Sequence, residues 1–447
     1  MSIDQSDAIA ALGRAAQTIQ DVNAFCEALS VAWPSILRRR ADVSVADLPV
    51  PTEPIPWYPL GHRSLDLSIR PSATLGYGTS DFFLQDAGSL LALAACRADV
   101  VSDRPLLVCD LCAAPGGKST ALLESIGDGF LLANEPIRSR VAPLAYNLAR
   151  TGVPRYAVSS MDPDDLAVRL GGVFDLVLVD APCSGQALMG RGKQSQASMS
   201  EHQIEHSAAR QRRILDAALA CLRPGGRLVY STCTFAEAEN ESQLERLVSL
   251  GAIEHDSRDA LAAYESWMPG AYRLWPHLHD CAGSFAAMAI NLTENAPVLR
   301  KEKRQRVERV PIDELTQWYG DTSKMQCINT GAVVWGWPAE VPAWVAQLSV
   351  AGPELAHRTG QVWKPSHAAG LRRGHDALTQ AFVDVDAETA SQFLSGSPIT
   401  CDGTGWQVVC IQGKPLGWIK ASQGKGGKCI GKNQLPTAAR LTVKSPG

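Results

Sequence analysis

Two cysteines stand where a nucleophile is useful. Cys183 follows Asp180-Ala-Pro182 after the apolar run 174–179, and Cys233 lies in Tyr230-Ser-Thr-Cys-Thr-Phe235 after the run 227–230. Each thiol falls just past the C-terminal end of a predicted strand, so adjacent parallel strands deliver both to one sheet edge. A thiolate in that place can add to an electron-poor ring. For either cysteine alone, burial as a small apolar group is the better explanation. Matching positions on two strands favour chemistry.

A second feature lies upstream, in Leu106-Leu-Val-Cys-Asp110-Leu-Cys112-Ala113-Ala114-Pro115-Gly116-Gly117-Lys118-Ser-Thr120, which reads as a strand, a glycine turn and a helix. Such a turn brings backbone amides close to a nucleotide or an amino-acid carboxylate, and the helix N-terminus favours negative charge. It fits neither the dinucleotide pattern GxGxxG nor the phosphate loop GxxxxGK[ST], whose first glycine is absent. Glu135 ends the next apolar run, about 20 residues on, where doubly wound folds grip ribose hydroxyls. Asp162 and Asp180 are expected at later strand ends. Four strand-end positions converging on one crevice describe a site for a nucleoside-containing cofactor.

The elements that must hold these residues are predicted from pattern. Apolar runs at 106–109, 130–133, 174–179 and 227–230, separated by helical stretches, indicate βα units and a parallel sheet, with 284–292 as a late strand. A helix over 210–222 is closed by Arg223-Pro-Gly-Gly226. Residues 1–50 read as helical through Ile9, Leu12, Ala15, Ile19, Val22 and Phe25. Arg38-Arg39-Arg40 then precedes a loop in which Pro49, Pro51, Pro54, Pro56 and Pro59 interrupt regular structure. Residues 301–309 form a charged linker, 318–363 a tryptophan-bearing middle module, and 406–411 with 417–419 short strands with glycine turns.

The 447 residues suffice for several domains, and 45% hydrophobic with 20% charged residues excludes disorder, collagen-like repetition and a small disulfide scaffold. No apolar run reaches the roughly 20 residues of a membrane span, and no secretory leader is read at the start, so a cytoplasmic location and no membrane partner are expected. Residues 1–299 carry 24 basic and 34 acidic side chains, and residues 300–447 carry 18 and 12. From Gly403 onward there are seven basic residues (Lys414, Lys420, Lys425, Lys428, Lys432, Arg440, Lys444) and no acid. That balance suits a tail that meets phosphate, or a solvated lysine face. His202-Gln-Ile-Glu-His206 matches a zinc-peptidase pattern, but a polar helix face explains it as well, and Cys109 with Cys112 is a single C-x-x-C without a second; no metal is expected.

Together, Asp110-Leu-Cys-Ala-Ala-Pro-Gly-Gly-Lys118, Asp180-Ala-Pro-Cys-Ser184 and Ser231-Thr-Cys-Thr234 resemble the S-adenosylmethionine-dependent RNA cytosine-5 methyltransferases of the RsmB/RsmF (Sun) family. The resemblance is strong over residues 75–293, and includes Phe82-Phe-Leu-Gln-Asp-Ala87, Arg273-Leu-Trp-Pro-His277 and Gly283-Ser-Phe285. Gly413-Lys-Pro-Leu-Gly-Trp418 and Lys432-Asn-Gln-Leu-Pro436 are similar to the PUA-like domain of the RsmF branch. The resemblance implies an α/β fold: a Rossmann-like class I methyltransferase core at 75–295, an N-terminal α/β RNA-contacting region at 1–74, a linker and middle module at 296–372, and a β-rich PUA-like domain at 373–447.

It also implies roles. Cys233 adds to carbon 6 of a cytosine, Cys183 assists loss of the carbon-5 proton and release, and Asp180 faces the cytosine amino edge. Cys112 to Lys118 wrap the methionine end of S-adenosyl-L-methionine, Glu135 the ribose and Asp162 the adenine edge. Two departures stand out: Asp81 replaces a common glycine before Phe82-Phe83, and Ser184-Gly-Gln-Ala187 replaces the commoner loop after the Pro-Cys cysteine. The expected partner is RNA, first ribosomal RNA of the small subunit or the subunit itself and second transfer RNA, with the enzyme a monomer. Outside this class, the alternatives are a non-catalytic ribosome-assembly factor, which the two intact cysteines disfavour, and a dinucleotide oxidoreductase, which the missing GxGxxG disfavours.

Overall fold

The apolar runs at 106–109, 130–133, 174–179 and 227–230 are too short for helices and become parallel strands. The computed structural model describes residues 5–295, 297, 310–320, 322–323, 325–374, 381–424 and 427–443. The charged linker 301–309, Lys425 and Lys444 lie outside them. Two helices, α1 (Gln5–Leu12) and α2 (Val22–Ala28), lead into a four-stranded antiparallel sheet of order β2-β3-β1-β4, formed by β1 (Ile36–Arg39), β2 (Thr52–Ile55), β3 (Tyr58–Ser64) and β4 (Phe82–Gln85). Helices α3 (Leu75–Gly78) and α4 (Leu90–Cys96) flank β4.

The helical reading of residues 1–50 thus fails after Ala28, because Ile36-Leu37-Arg38-Arg39 is a strand. Arg38 is only 2% exposed and donates to Thr120 Oγ1 at 3.0 Å and Glu124 Oε2 at 2.6 Å, so a charge that reads as solvated is paired inside. The prolines do not exclude strands either. Pro54 lies on β2, the sheet edge, where a missing N–H costs no ladder bond, and Pro59 lies on β3 outside the paired register.

The central sheet has the order β10-β12-β9-β8-β5-β6-β7, with β11 beside β12. Its parallel members are β5 (Leu107–Asp110), β6 (Phe130–Asn134), β7 (Tyr156–Ser159), β8 (Phe174–Asp180) and β9 (Leu222–Thr232). Antiparallel β10 (Ile253–His255), β11 (Ala271–Leu274) and β12 (Ser284–Asn291) complete it. Strand order reverses at β5, which opens a crevice at the carboxyl ends of β5 and β8. Helices α4, α5 (Gly117–Ser125) and α6 (Val141–Arg150) cover one face; α7 (Pro163–Arg169), α8 (Glu201–Cys221) and α9 (Glu241–Ser249) cover the other. Helix α8 starts nine residues before the expected position, where Ser200 caps it by accepting from Gln203 N. Arg223-Pro-Gly-Gly226 belongs to β9.

The middle module forms a second antiparallel sheet from β13 (Met325–Asn329), β14 (Val333–Pro338), β15 (Glu354–Thr359) and β16 (Val362–Pro365). It closes the open edge of the central sheet, with Val158 N donating to Ala351 O at 2.9 Å, Trp337 Nε1 to Tyr156 O at 2.7 Å, and Trp344 edge-on to Phe130 and Phe174. The last sheet, of order β17-β19-β20-β21-β18, contains β17 (Phe382–Asp384), β18 (Ile399–Cys401), β19 (Gly405–Ile411), β20 (Lys414–Gln423) and β21 (Cys429–Asn433). Among the described residues no helix is long and apolar enough to cross a membrane.

Candidate active site

Asp110 ends β5 and is 1% exposed; its Oδ2 accepts from Ser119 Oγ at 2.6 Å, which ties the strand to the first turn of α5. Between them the chain turns through Gly116, whose φ of 108° suits glycine, while Leu144 and Asn147 of α6 stand 3.2 and 3.3 Å from the place of a Cβ. The turn's outward carbonyls are held from α6: Asn147 Nδ2 donates to Pro115 O at 2.8 Å, and Arg140, just before the helix, to Ala114 O at 2.6 Å. Desolvation pushes the Asp110 carboxyl up to about 7, against the Ser119 hydrogen bond.

That shift has a sign. Native Asp110 holds its proton between its ordinary pKa, just below 4, and about 7, so its contribution to stability declines as pH rises through that window and is constant above it. Asp110→Asn cannot ionise. Its urea midpoint relative to the parent is expected to rise from about pH 4 to about pH 8; a pH-independent difference would show that the carboxyl is ionised throughout.

The next strand end carries Asp180. Its Oδ2 meets Lys118 Nζ at 2.7 Å and its Oδ1 accepts from Ser231 Oγ at 2.7 Å. Burial works against the Lys118 ammonium, but the Asp180 carboxylate outweighs it and holds the pKa above the ordinary lysine value. Beyond Asp180 and beyond Thr232, the two thiols come together, with Cys183 Sγ 3.1 Å from Cys233 Sγ. The hydrogen bond with Cys233, together with burial, holds the Cys183 thiol well above its usual pKa, so at neutral pH Cys183 carries its proton.

The two thiol-bearing turns are fastened to each other by Ser184 Oγ with Thr234 Oγ1 at 2.8 Å and by Ala187 N donating to Cys233 O at 3.0 Å. A third segment grips both. Glu239 Oε2 accepts from Ser184 N at 2.9 Å, while Asn240 accepts from Thr232 Oγ1 at 2.6 Å and donates to Thr234 O at 3.0 Å. Both side chains are wholly buried, and desolvation raises the Glu239 carboxyl. Sequence reasoning missed this pair because Glu237-Ala-Glu-Asn-Glu241 has the letters of a solvated loop. The available signal was an acidic run too short to be a helix, directly after a candidate nucleophile.

A cleft of about 640 Å³ joins these parts. Cys112, Ala114, Pro115, Lys118, Glu135, Asp162, Asp180, Cys183 and Cys233 all line it, with Pro136, Ile137, Pro163 and Ile214 as apolar walls. Ala113, Gly116 and Gly117 do not line it; they shape the turn. Glu135 follows β6, is 2% exposed, accepts from Ile137 N at 2.9 Å and lies 3.3 Å from Arg140. Asp162 stands three residues past β7 as the cap of α7, accepts from Asp164 N at 3.0 Å and is paired with Arg213 at 3.0 Å. Lys193 and Arg210 add positive charge to the rim. Carboxylates that can accept from hydroxyl and amino donors, apolar walls suited to a purine, and the α6-braced turn together fit an adenosyl amino-acid cofactor in donor set and size.

The tail lysines divide. Lys420 on β20 and Lys432 on β21 are exposed and directly opposite in register, and Lys420 lies 5.7 Å over Trp406; Lys428 and Arg440 are also exposed. Like charges facing each other cost stability until an anion joins them. Lys414 differs from these: its Nζ is 2.8 Å from the Asp81 carboxylate, so it is a structural contact instead of a free phosphate ligand.

Comparison with known proteins identifies the family and the fold. Residues 102–290 match the family model described as 16S rRNA methyltransferase RsmB/F, and residues 380–441 match that of the methyltransferase RsmF PUA domain. Ribosomal RNA small subunit methyltransferase F of Klebsiella pneumoniae is 30% identical over 397 residues, covering 82% of this chain and 81% of that protein. The protein of the same name from an Enterobacter species is 31% identical over 395 residues with the same coverage. Among solved structures, a methyltransferase homologue from Pyrococcus horikoshii superposes with a TM-score of 0.53 at 26% identity, over 61% of this chain and 91% of that one. NSun6 from the same organism, solved with SFG, has a TM-score of 0.53 at 18% identity over 65% and 98%, a likeness of fold.

Proposed function

Because the chain belongs to the RsmB/F family of 16S rRNA methyltransferases, we propose that it methylates carbon 5 of a cytosine in small-subunit ribosomal RNA through a covalent adduct at carbon 6. The observation that carries this reading is the pair of thiols 3.1 Å apart at adjacent strand ends, beside the Lys118–Asp180 ion pair. S-adenosyl-L-methionine supplies the electrophilic methyl group when bound, and Cys112, Ala114, Pro115, Lys118, Glu135 and Asp162 would hold it. Carbon 5 of cytosine is not nucleophilic by itself. Cys233 adds as thiolate to carbon 6, and the displaced ring electrons make carbon 5 able to form the new carbon–carbon bond. The carbon-5 proton then leaves and the sulfur–carbon-6 bond breaks, which restores the ring.

Cys183 is suited to the second half of this sequence. Its largest restraint on ionisation is the hydrogen bond with Cys233. Once Cys233 is bonded to the base that restraint is gone, and Cys183 can lose its proton to water in the cleft and, as thiolate, take the proton from carbon 5 while the sulfur–carbon-6 bond electrons return to Cys233. Asp180, fixed by Lys118 and Ser231, presents a carboxylate edge to the cytosine amino group. The base must leave any stack to arrive there, at a cost of a few kcal/mol unless it is already single-stranded. Lys193 and Arg210 on the rim, with Lys420 and Lys432 of the carboxy-terminal sheet, supply charge for phosphates.

Bisulfite sequencing of ribosomal and transfer RNA from cells with and without the gene tests the reading. Loss of protection at one cytosine of small-subunit ribosomal RNA is the expected result. Loss in transfer RNA would retain the chemistry and change the substrate; no change in either would overturn the proposal in favour of a non-catalytic assembly factor. RNA binding should also weaken steeply with salt, the slope of log affinity against log salt falling by about 0.7–0.9 for each phosphate neutralised, and a flat response would remove the lysines from the interface.

A further inference from the structure

Asp81, one of the two departures from the family pattern, sits where the amino-terminal sheet, the core and the carboxy-terminal sheet meet. It is 5% exposed, its Oδ2 is 2.8 Å from Lys414 Nζ, and its Oδ1 is 3.8 Å from the Arg373 guanidinium. Its backbone oxygen accepts from Arg40 N at 3.0 Å, while the Arg40 guanidinium is directed to Glu124 and Asp42. Arg373 also donates to Thr79 O. One buried carboxylate therefore serves two cations from the far end of the chain, and without it both would face each other across a desolvated junction.

The surrounding contacts are specific to this junction. Leu75 packs with the carboxy-terminal core, and a side chain at Gly78 would come 2.6 Å from Leu394. Arg150 of α6 donates to Tyr77 O at 2.9 Å and stacks 4.4 Å over the Tyr77 ring, and Tyr146 of α6 donates to Ala438 O at 3.2 Å. Asn147, between these two residues on α6, braces the cofactor turn by donating to Pro115 O.

We propose that Asp81 is a positioning residue for the RNA: through Lys414 and Arg373 it holds the basic carboxy-terminal sheet at a set distance and orientation from Cys233, so that an RNA gripped by Lys420 and Lys432 is presented to the cleft in one register. This rests on the reading that the carboxy-terminal domain binds the RNA. Asp81 and Lys414 then form one feature, a charge pair between residues 333 positions apart.

The test is a double-mutant cycle with Asp81→Asn and Lys414→Met, read as KM and kcat for in-vitro transcribed 16S ribosomal RNA across a salt series. Each single variant is expected to raise KM about tenfold and leave kcat unchanged, the double variant to be no worse than either, and the slope of log KM against log salt to stay at the parent value. Additive effects, or a Lys414→Met variant that alone raises KM and lowers the salt slope by about one, would overturn the proposal and make Lys414 a direct phosphate ligand. Amide hydrogen exchange on the unliganded full chain separates this from the RNA-binding reading. Protection should fall in residues 76–81 and in β20 of both variants, and unchanged protection overturns the latch. A parent enzyme with a salt-independent KM beside lost protection in the variants would instead retain the latch as a domain contact and refute its role toward RNA. Should Asp81→Asn fail to fold, Lys414→Met alone, at a partly exposed residue, decides by its salt slope and exchange.

Discussion

Cys233→Ala is expected to lose methyl transfer by at least about a thousandfold, because it removes the thiol assigned to carbon 6, without which carbon 5 of a cytosine is not nucleophilic. Cys183→Ala is expected to lose turnover as severely, with the opposite product: a protein–RNA adduct that survives denaturing gel electrophoresis. The two thiols are 3.1 Å apart, so a base that reaches one would reach the other, yet only one stands in the Thr232-Cys-Thr234 turn. Labelled RNA, cofactor and each variant on one gel make the comparison. An adduct formed by Cys233→Ala, or none formed by Cys183→Ala, would reverse or dissolve this division of labour.

The second large effect is on stability. Arg273 on β11 and Glu241 at the start of α9 form a bidentate pair, 4% and 0% exposed, with Arg273 Nε 2.6 Å from Glu241 Oε1. Arg273 also donates to Phe235 O at 3.0 Å and lies over the Trp275 and Phe285 rings. Glu241→Ala strands that guanidinium among aromatic walls and is expected to cost about 3–5 kcal/mol, whereas Arg273→Met with Glu241→Leu should cost much less, since no charge is left buried. The denaturant midpoint of the core transition measures both. Phe235 is two residues past Cys233, so adduct formation by Glu241→Ala should slow as well. A Glu241→Ala midpoint within error of the parent would show that the pair is solvated in solution.

How far the site could be read beforehand depended on where each interaction lies along the chain. The glycine turn, Glu135, Asp180 and both cysteines are each next to a strand whose apolar run announces it, so their convergence follows from parallel order alone. Glu239 and Asn240 could not be found that way. Their burial depends on α8 and the two thiol turns closing over them, and nothing local distinguishes them from a solvated acidic loop. The same holds at Arg38, where Glu124 and Thr120, more than 80 residues away, turn an exposed-looking arginine into a core residue and a predicted helix into a strand.

Family membership, the parallel core and the position of both cysteines at strand ends were legible in the chain's own letters, because hydrophobic periodicity and short motifs are encoded in neighbours. Register, clamping and the union of the domains were decided only by the tertiary structure. The Cys183–Cys233 approach, the Glu239 grip and the Asp81–Lys414 pair join residues about 50 to 333 positions apart. Their energies exist only after chain folding has removed water from between them, and the cost of a buried charge without its partner is what makes each pairing specific.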